Sequence, residues 1–181
     1  DILNAVEKVN AETIFVLPNN KNIILAANQA ESLVEDKNVI VIPSKTIPQG
    51  ISALVSFDPT GDADSNKDNM MEAIDCVLSG QVTYAVRDTQ IDGHDVKKGD
   101  YIAINDEGLV ASETDIKDSV IKMLDGMVSD DYELISIYYG SDVDEADAEA
   151  IAAIVEEKYS YLDVELEYGG QPVYYYIISV E

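Results

Sequence analysis

Two short apolar runs, each closed by a proline, constrain this chain more than any other feature. The first is Ile14 to Leu17, stopped by Pro18; the second is Val39 to Ile42, stopped by Pro43. Short runs of branched and aromatic residues bounded by proline read as strands buried on both faces. Between them Ile24, Ala27, Ala30, Leu33 and Val34 recur at helical spacing, which predicts a helix over 21–34. Two buried strands joined by such a helix make a βαβ unit, expected to be parallel and right-handed. Both strand ends then lie on one sheet edge, where open α/β folds present their functional groups. The corner Pro18, Asn19, Asn20, Lys21, Asn22 is therefore expected to face the corner Ser44, Lys45, Thr46. Together they offer two lysines, hydroxyl and amide side chains and exposed backbone to one cleft. A plainer reading stands beside this one: Asn and Pro stop strands, and Asn20 caps a helix.

The rest of the chain divides by pattern. Ile2, Leu3, Val6 and Val9 form a helical stripe that begins almost at Asp1, so the chain reads as a piece of something longer. Ile51 to Phe57 reads as helix and 58–69, DPTGDADSNKDN, as a polar loop. That loop resembles a calcium loop in its acids but lacks the glycine and final glutamate in register, so no metal is expected. A helix over 70–78 is expected to bury Met70, Met71, Ile74, Val77 and Leu78, with Cys76 in the core and Ser79-Gly80 ending it. From Gln81 onward alternation replaces helical spacing, with Asp92-Gly93 as a hairpin bend and a strand over 101–104. A helix capped by Thr114 follows. Then come a strand over 132–139, an acidic helix over 144–159 with Ala146, Ala150, Ile151, Ile154 and Val155 inward, and strands over 162–168 and 173–180. The predicted fold is α/β: an open mixed sheet with an N-terminal parallel βαβ unit, a small antiparallel β module and a C-terminal βαββ lobe. The expected boundaries are 1–80, 81–112 and 113–181, with the first and last lobes able to form one domain.

Charge narrows the function. Thirty-six acids against 11 Lys and Arg give a net charge of -25. Such a field disfavours nucleic acid and anionic membranes and suits a basic protein partner. Arg87 is the only arginine, so no arginine clamp can form; Arg87-Asp88 reads as a surface ion pair or contact point. Cys76 is alone, which favours a reducing compartment, the cytoplasm. No apolar run is long enough to span a bilayer. Glycine-rich nucleotide loops, nucleophile elbows and paired metal-binding histidines are missing, and His94 stands without a second histidine or a nearby cysteine. No catalytic residue is assigned. Gln171, beside the Gly169-Gly170 turn, could donate to a ligand.

The phrases FVLPNNKNIILAANQA and VIVIPSKTIPQGISAL, with the ending GGQPVYYYIISVE, resemble the C-terminal region of the A component of bacterial fatty acid kinase, a Dak2-domain protein related to dihydroxyacetone kinase. The resemblance implies a parent chain whose separate N-terminal kinase domain uses ATP and magnesium, and which is able to form a homo-oligomer. It implies that this region is non-catalytic, holds no cofactor, and binds and positions a DegV-like fatty-acid-binding carrier for phosphorylation. The contact role then falls on Pro18, Asn19, Asn20, Lys21, Asn22, Ser44, Lys45 and Thr46. The alternative is a small-ligand-binding α/β domain related to DegV or dihydroxyacetone kinase.

Overall fold

A pair of four-residue strands between two helical layers forms the centre of the first unit. The computed structural model describes residues 1–91 and 93–181 and divides into two units, Asp1–Val77 and Leu78–Glu181. The first contains α1 (Ile2–Lys8), β1 (Thr13–Val16), α2 (Lys21–Glu31), β2 (Asn38–Val41), α3 (Ile47–Val55) and α4 (Ala63–Asp75). Strands β1 and β2 run parallel, with Ile14 opposite Val39 and Phe15 opposite Ile40. Alternate strand residues point to opposite faces. Val6 of α1 therefore meets Ile14 and Val39 on one face, where α1 also packs on α2. On the other face Phe15, Leu17, Ile40 and Ile42 meet Ala53 of α3 and Met70 and Ile74 of α4.

Two helix starts differ from the sequence expectation. Helix α3 begins at Ile47 because Thr46 caps it and Pro48 is tolerated in a first turn, where its missing N–H has no helical partner. Helix α4 begins at Ala63, inside the stretch expected to be loop. Asp62 caps it, accepting from Ser65 N–H at 2.8 Å, a bond that holds the exposed Asp62 carboxyl below its usual range. Buried Asn66 locks the same turn, accepting from Asp58 N–H at 2.7 Å and donating to Asp58 O at 2.8 Å. With Met70 and Ile74 turned inward, Met71 and Cys76 are exposed, not core.

The second unit contains β3 (Leu78–Tyr84), β4 (Thr89–Ile91), β5 (His94–Val96), β6 (Tyr101–Asn105), β7 (Gly108–Glu113), α5 (Ile116–Met127), β8 (Leu134–Tyr139), α6 (Glu145–Lys158), β9 (Asp163–Tyr168) and β10 (Tyr176–Val180). Six strands form one sheet in the order β7-β6-β3-β10-β8-β9, antiparallel except for β8 and β9. Val120, Met123 and Leu124 of α5 and Ile151 and Val155 of α6 join Val82, Ile135, Ile137, Tyr176 and Ile178 in a continuous core. The hairpin β4–β5 has a cluster of its own, in which Ala85, Val96 and Ile102 pack with Ile91, Ile104 and Leu109. The parallel βαβ unit, the small antiparallel module and the C-terminal βαββ segment are thus all present.

Ser79 and Gly80 do not end a helix; they lie inside β3, where Gly80 leaves room for the Met123 side chain. Asp115, not Thr114, caps α5, accepting from Lys117 N–H at 2.9 Å. The inward face of α6 is Ala148, Ile151, Ala152 and Val155, so Ala146 and Ala150 are exposed. Asp88 pairs with Lys97 at 3.9 Å. Of the expected bend, Asp92 lies outside the described residues, while Gly93 has φ +83, the left-handed conformation a tight turn requires. All 11 tyrosines fall in this unit, and the two phenylalanines, Phe15 and Phe57, in the first.

Candidate functional site

The two proline corners of the first unit are tied to each other. Asn19 N–H donates to Ser44 Oγ at 3.1 Å, and the Ser44 hydroxyl donates to Asn19 Oδ1 at 2.7 Å. Asn19 reaches this position with φ +52, a left-handed conformation that asparagine adopts more readily than most residues. Its amide lies over Gly50 of α3, where a Cβ would come within 2.7 Å of Asn19 Cγ. Glycine at 50 thus allows the first corner to close on the second. Ser44 is fully buried, so its hydroxyl serves this closure and is not offered to a ligand.

The other corner residues divide between capping and exposure. Asn20 caps α2, accepting from Asn22 N–H at 2.9 Å. Thr46 caps α3, accepting from Gln49 N–H at 3.5 Å, and Gln49 Oε1 reaches back to accept from Lys45 N–H at 2.8 Å. This is a capping-box arrangement with the glutamine bond displaced by one residue. The spacing Thr46-x-x-Gln49 is its sequence signal, yet Gln49 and Gly50 were not among the expected site residues. Asn20, Lys21, Asn22 and Lys45 are exposed; Pro18 is half-buried. Helices α2 and α3 therefore begin at linked corners with positive dipole ends, while the caps take up the Asn22 and Gln49 N–H groups and Pro48 has none to offer.

The local charge differs from that of the whole chain. No acid occurs in 13–30 or in 37–57, although 36 are present overall. Lys21 and Lys45 thus stand in acid-free stretches of a strongly acidic protein. The arrangement can hold an anionic or carbonyl group by hydrogen bonds and charge; it presents no paired acid and base for proton transfer.

Gln171 belongs to the second unit. Its Nε2 donates to Tyr138 O at 2.9 Å, and its main-chain carbonyl accepts from Ser141 N–H at 3.0 Å. These bonds fasten the 169–172 turn to the end of β8. His94 is exposed in β5. Among the described residues no group of three His, Cys, Asp or Glu side chains is placed to hold a metal, and no helix is long and apolar enough to cross a membrane.

Comparison with known proteins places the chain. A family model for the FakA-like C-terminal region of fatty acid kinase matches residues 1–181. Protein YloV of Bacillus subtilis is 48% identical over 181 residues, covering 100% of this chain and 32% of the relative. An uncharacterized Staphylococcus aureus protein is 40% identical over the same length, covering 33% of that relative. The chain thus spans about a third of the length of these relatives. Among solved structures, a Streptococcus pneumoniae fatty acid kinase B3 protein loaded with linoleic acid matches with TM-score 0.65 at 15% identity, covering 99% of this chain and 74% of that one. The dihydroxyacetone kinase of C. freundii matches with TM-score 0.59 at 13% identity, covering 99% of this chain and 40% of that one. At such identities the likeness is one of fold. The family match over the full length of the sequence shows that this chain belongs to the FakA-like C-terminal family of fatty acid kinase.

Proposed function

We propose that this domain works by binding, and that the mouth between the Asn19–Lys21 and Lys45–Thr46 corners holds the anionic head of a small ligand, the carboxylate or acyl phosphate of a fatty acid. One observation carries the reading: Lys21 and Lys45 flank two adjacent helix N-termini in acid-free stretches of a chain of charge -25. Helix N-termini and lysines stabilise anions, and the low local acid content lets that attraction act. The fold shared with fatty-acid-loaded proteins supports an acyl ligand. Calorimetric titration with oleate and with acetyl phosphate tests it. Binding is expected to weaken about tenfold in the Lys21→Ala/Lys45→Ala protein, a loss of about 1.4 kcal/mol. No heat with either probe in the wild-type protein overturns the reading.

A second reading is that the domain binds and positions a DegV-like acyl-carrying partner for ATP-dependent phosphorylation by a magnesium-dependent kinase domain elsewhere in the parent chain. The outer face of α3 favours it: Ile47, Ile51 and Leu54 are exposed at helical spacing directly after the Lys45–Thr46 corner. Exposed apolar patches mark protein contacts. Leu54→Asp is expected to abolish a complex with the carrier measured by sedimentation; an unchanged complex removes α3 from the contact.

A further inference from the structure

The parallel pair β1–β2 has an unfilled edge. Asn38 N–H donates to Glu12 O at 2.8 Å, and Ile42 N–H donates to Val16 O at 3.0 Å. Main-chain groups alternate along a strand, so residues 12, 14 and 16 face β2. The N–H and C=O groups of Thr13 and Phe15 point the other way, and none of them has a hydrogen-bond partner among the described residues. Burial agrees. Val39, Ile40 and Val41 of β2 are 7%, 7% and 8% exposed, whereas Thr13, Phe15 and Val16 of β1 are only half-buried. A two-stranded parallel sheet is an unusual end state, because parallel sheets are stable with several strands covered on both faces. An apolar edge such as TIFV, with no charge, bulge or proline inside it, lacks the usual protection against pairing.

Chain direction selects the occupant. Right-handed crossovers whose helices share one face move across a sheet in one direction. Helix α2 leads from β1 to β2 on the face that carries Ile14 and Val39, and α1 packs on that same face against α2. A strand feeding into α1 therefore lies on the free side of β1, not beyond β2. Relatives are about three times as long as this sequence, so they contain chain able to provide it.

We propose that the segment of the parent chain leading into α1 adds a parallel strand to the free edge of β1, bonding to the main-chain groups of Thr13 and Phe15. Its C-terminal end lies on the same sheet edge as Pro18 and Pro43, so a third turn joins the mouth beside Asn19 and Lys21. The inference stands on the sheet edge and not on what the corners bind.

Residue-resolved hydrogen exchange on the full-length parent protein tests it, with no ligand or partner added. The Ile14 amide, bonded to β2 in either case, is the internal reference. The Phe15 amide is expected to exchange about as slowly as that of Ile14, at least about 1,000-fold slower than an unbonded amide, at every protein concentration. Fast exchange at Phe15 beside slow exchange at Ile14 overturns the proposal. Protection at Phe15 that disappears on dilution also overturns it, because the strand then comes from a second copy.

Discussion

The two units solve the same packing problem with different amounts of material. In the second, helices α5 and α6 close one large core over a six-stranded sheet, with a small cluster beside it at the β4–β5 hairpin, and Ile135, Ile137, Ile178 and Val155 are completely inaccessible. In the first, two strands divide the apolar residues into two small clusters, one on each face. The first unit also leaves Leu25, Leu33, Leu54 and Val55 more than 60% exposed. Buried apolar area sets most of the stability, so the second unit is expected to be the more stable of the two. The candidate site lies in the first unit and is kept in shape by polar ties rather than by bulk.

That contrast can be broken by mutation. Ile137→Ala opens a cavity in a core that cannot collapse around it, and a loss of about 4 kcal/mol is expected in urea unfolding. Ile40→Ala removes the same atoms beside an open edge, where relaxation is easier, and about 2 kcal/mol is expected. Equal losses would show that the first unit is as tightly packed as the second.

Alkali should separate the units next. Burial pushes the Tyr176 hydroxyl up to about 12, and burial followed by the bond to Asp125 pushes Tyr159 up as well. A raised folded pKa means that this stability is whole below the unfolded tyrosine value of about 10 and is lost as pH rises through the folded value. The second unit should therefore lose stability from about pH 10 to about 12, and Tyr176→Phe should remove about 2 kcal/mol of that loss. The first unit has no tyrosine and should be indifferent to this titration, as circular dichroism of both proteins against pH would show.

Smaller effects sharpen the picture at the corners. Asn19→Ala keeps the left-handed backbone but loses the tie to Ser44; about 1 kcal/mol for each term gives a loss of about 2 kcal/mol in the first unit. Asn19→Gly relieves the backbone and should lose about half as much. Lys21→Ala and Lys45→Ala, both exposed, should change stability by less than about 0.5 kcal/mol, so their effect on binding can be read without correction.

The parts legible in the sequence are those where local pattern and final packing agree. IFVL and VIVI were legible as strands because branched and aromatic runs closed by proline suit a parallel pair; VIVI is buried as expected and IFVL, apart from Ile14, only half-buried, and their pairing set the two corners opposite each other. The start of α4 was hidden because ADSNKDN carries one weak apolar residue before Met70; Asn66 is buried for its hydrogen bonds, which composition does not reveal. The start of β3 was hidden for a related reason. Ser79 and Gly80 read as a turn, but Ser79 lies opposite Ser179, which lies opposite Ser136, three small residues in register across a closely packed sheet. In the corner itself, the resemblance pointed to a row of contact residues without distinguishing those that build it from those that face outward. Asn19, Ser44, Gln49 and Gly50 build it; Lys21, Asn22 and Lys45 face outward.

The uneven distribution of aromatic residues also gives the protein a one-sided optical label. With no tryptophan and every tyrosine in the second unit, tyrosine fluorescence and the tyrosine bands of near-ultraviolet dichroism report on that half, and the first unit adds only the weak bands of Phe15 and Phe57. The corners, the exposed α3 face and the free edge of β1 could open, close or take up a strand without changing the tyrosine signal. A melting curve followed by intrinsic fluorescence would describe the scaffold and miss the half that carries the candidate site. A tryptophan at Phe57, whose ring meets Phe15 edge-on at 5.6 Å, would give the silent half a signal of its own.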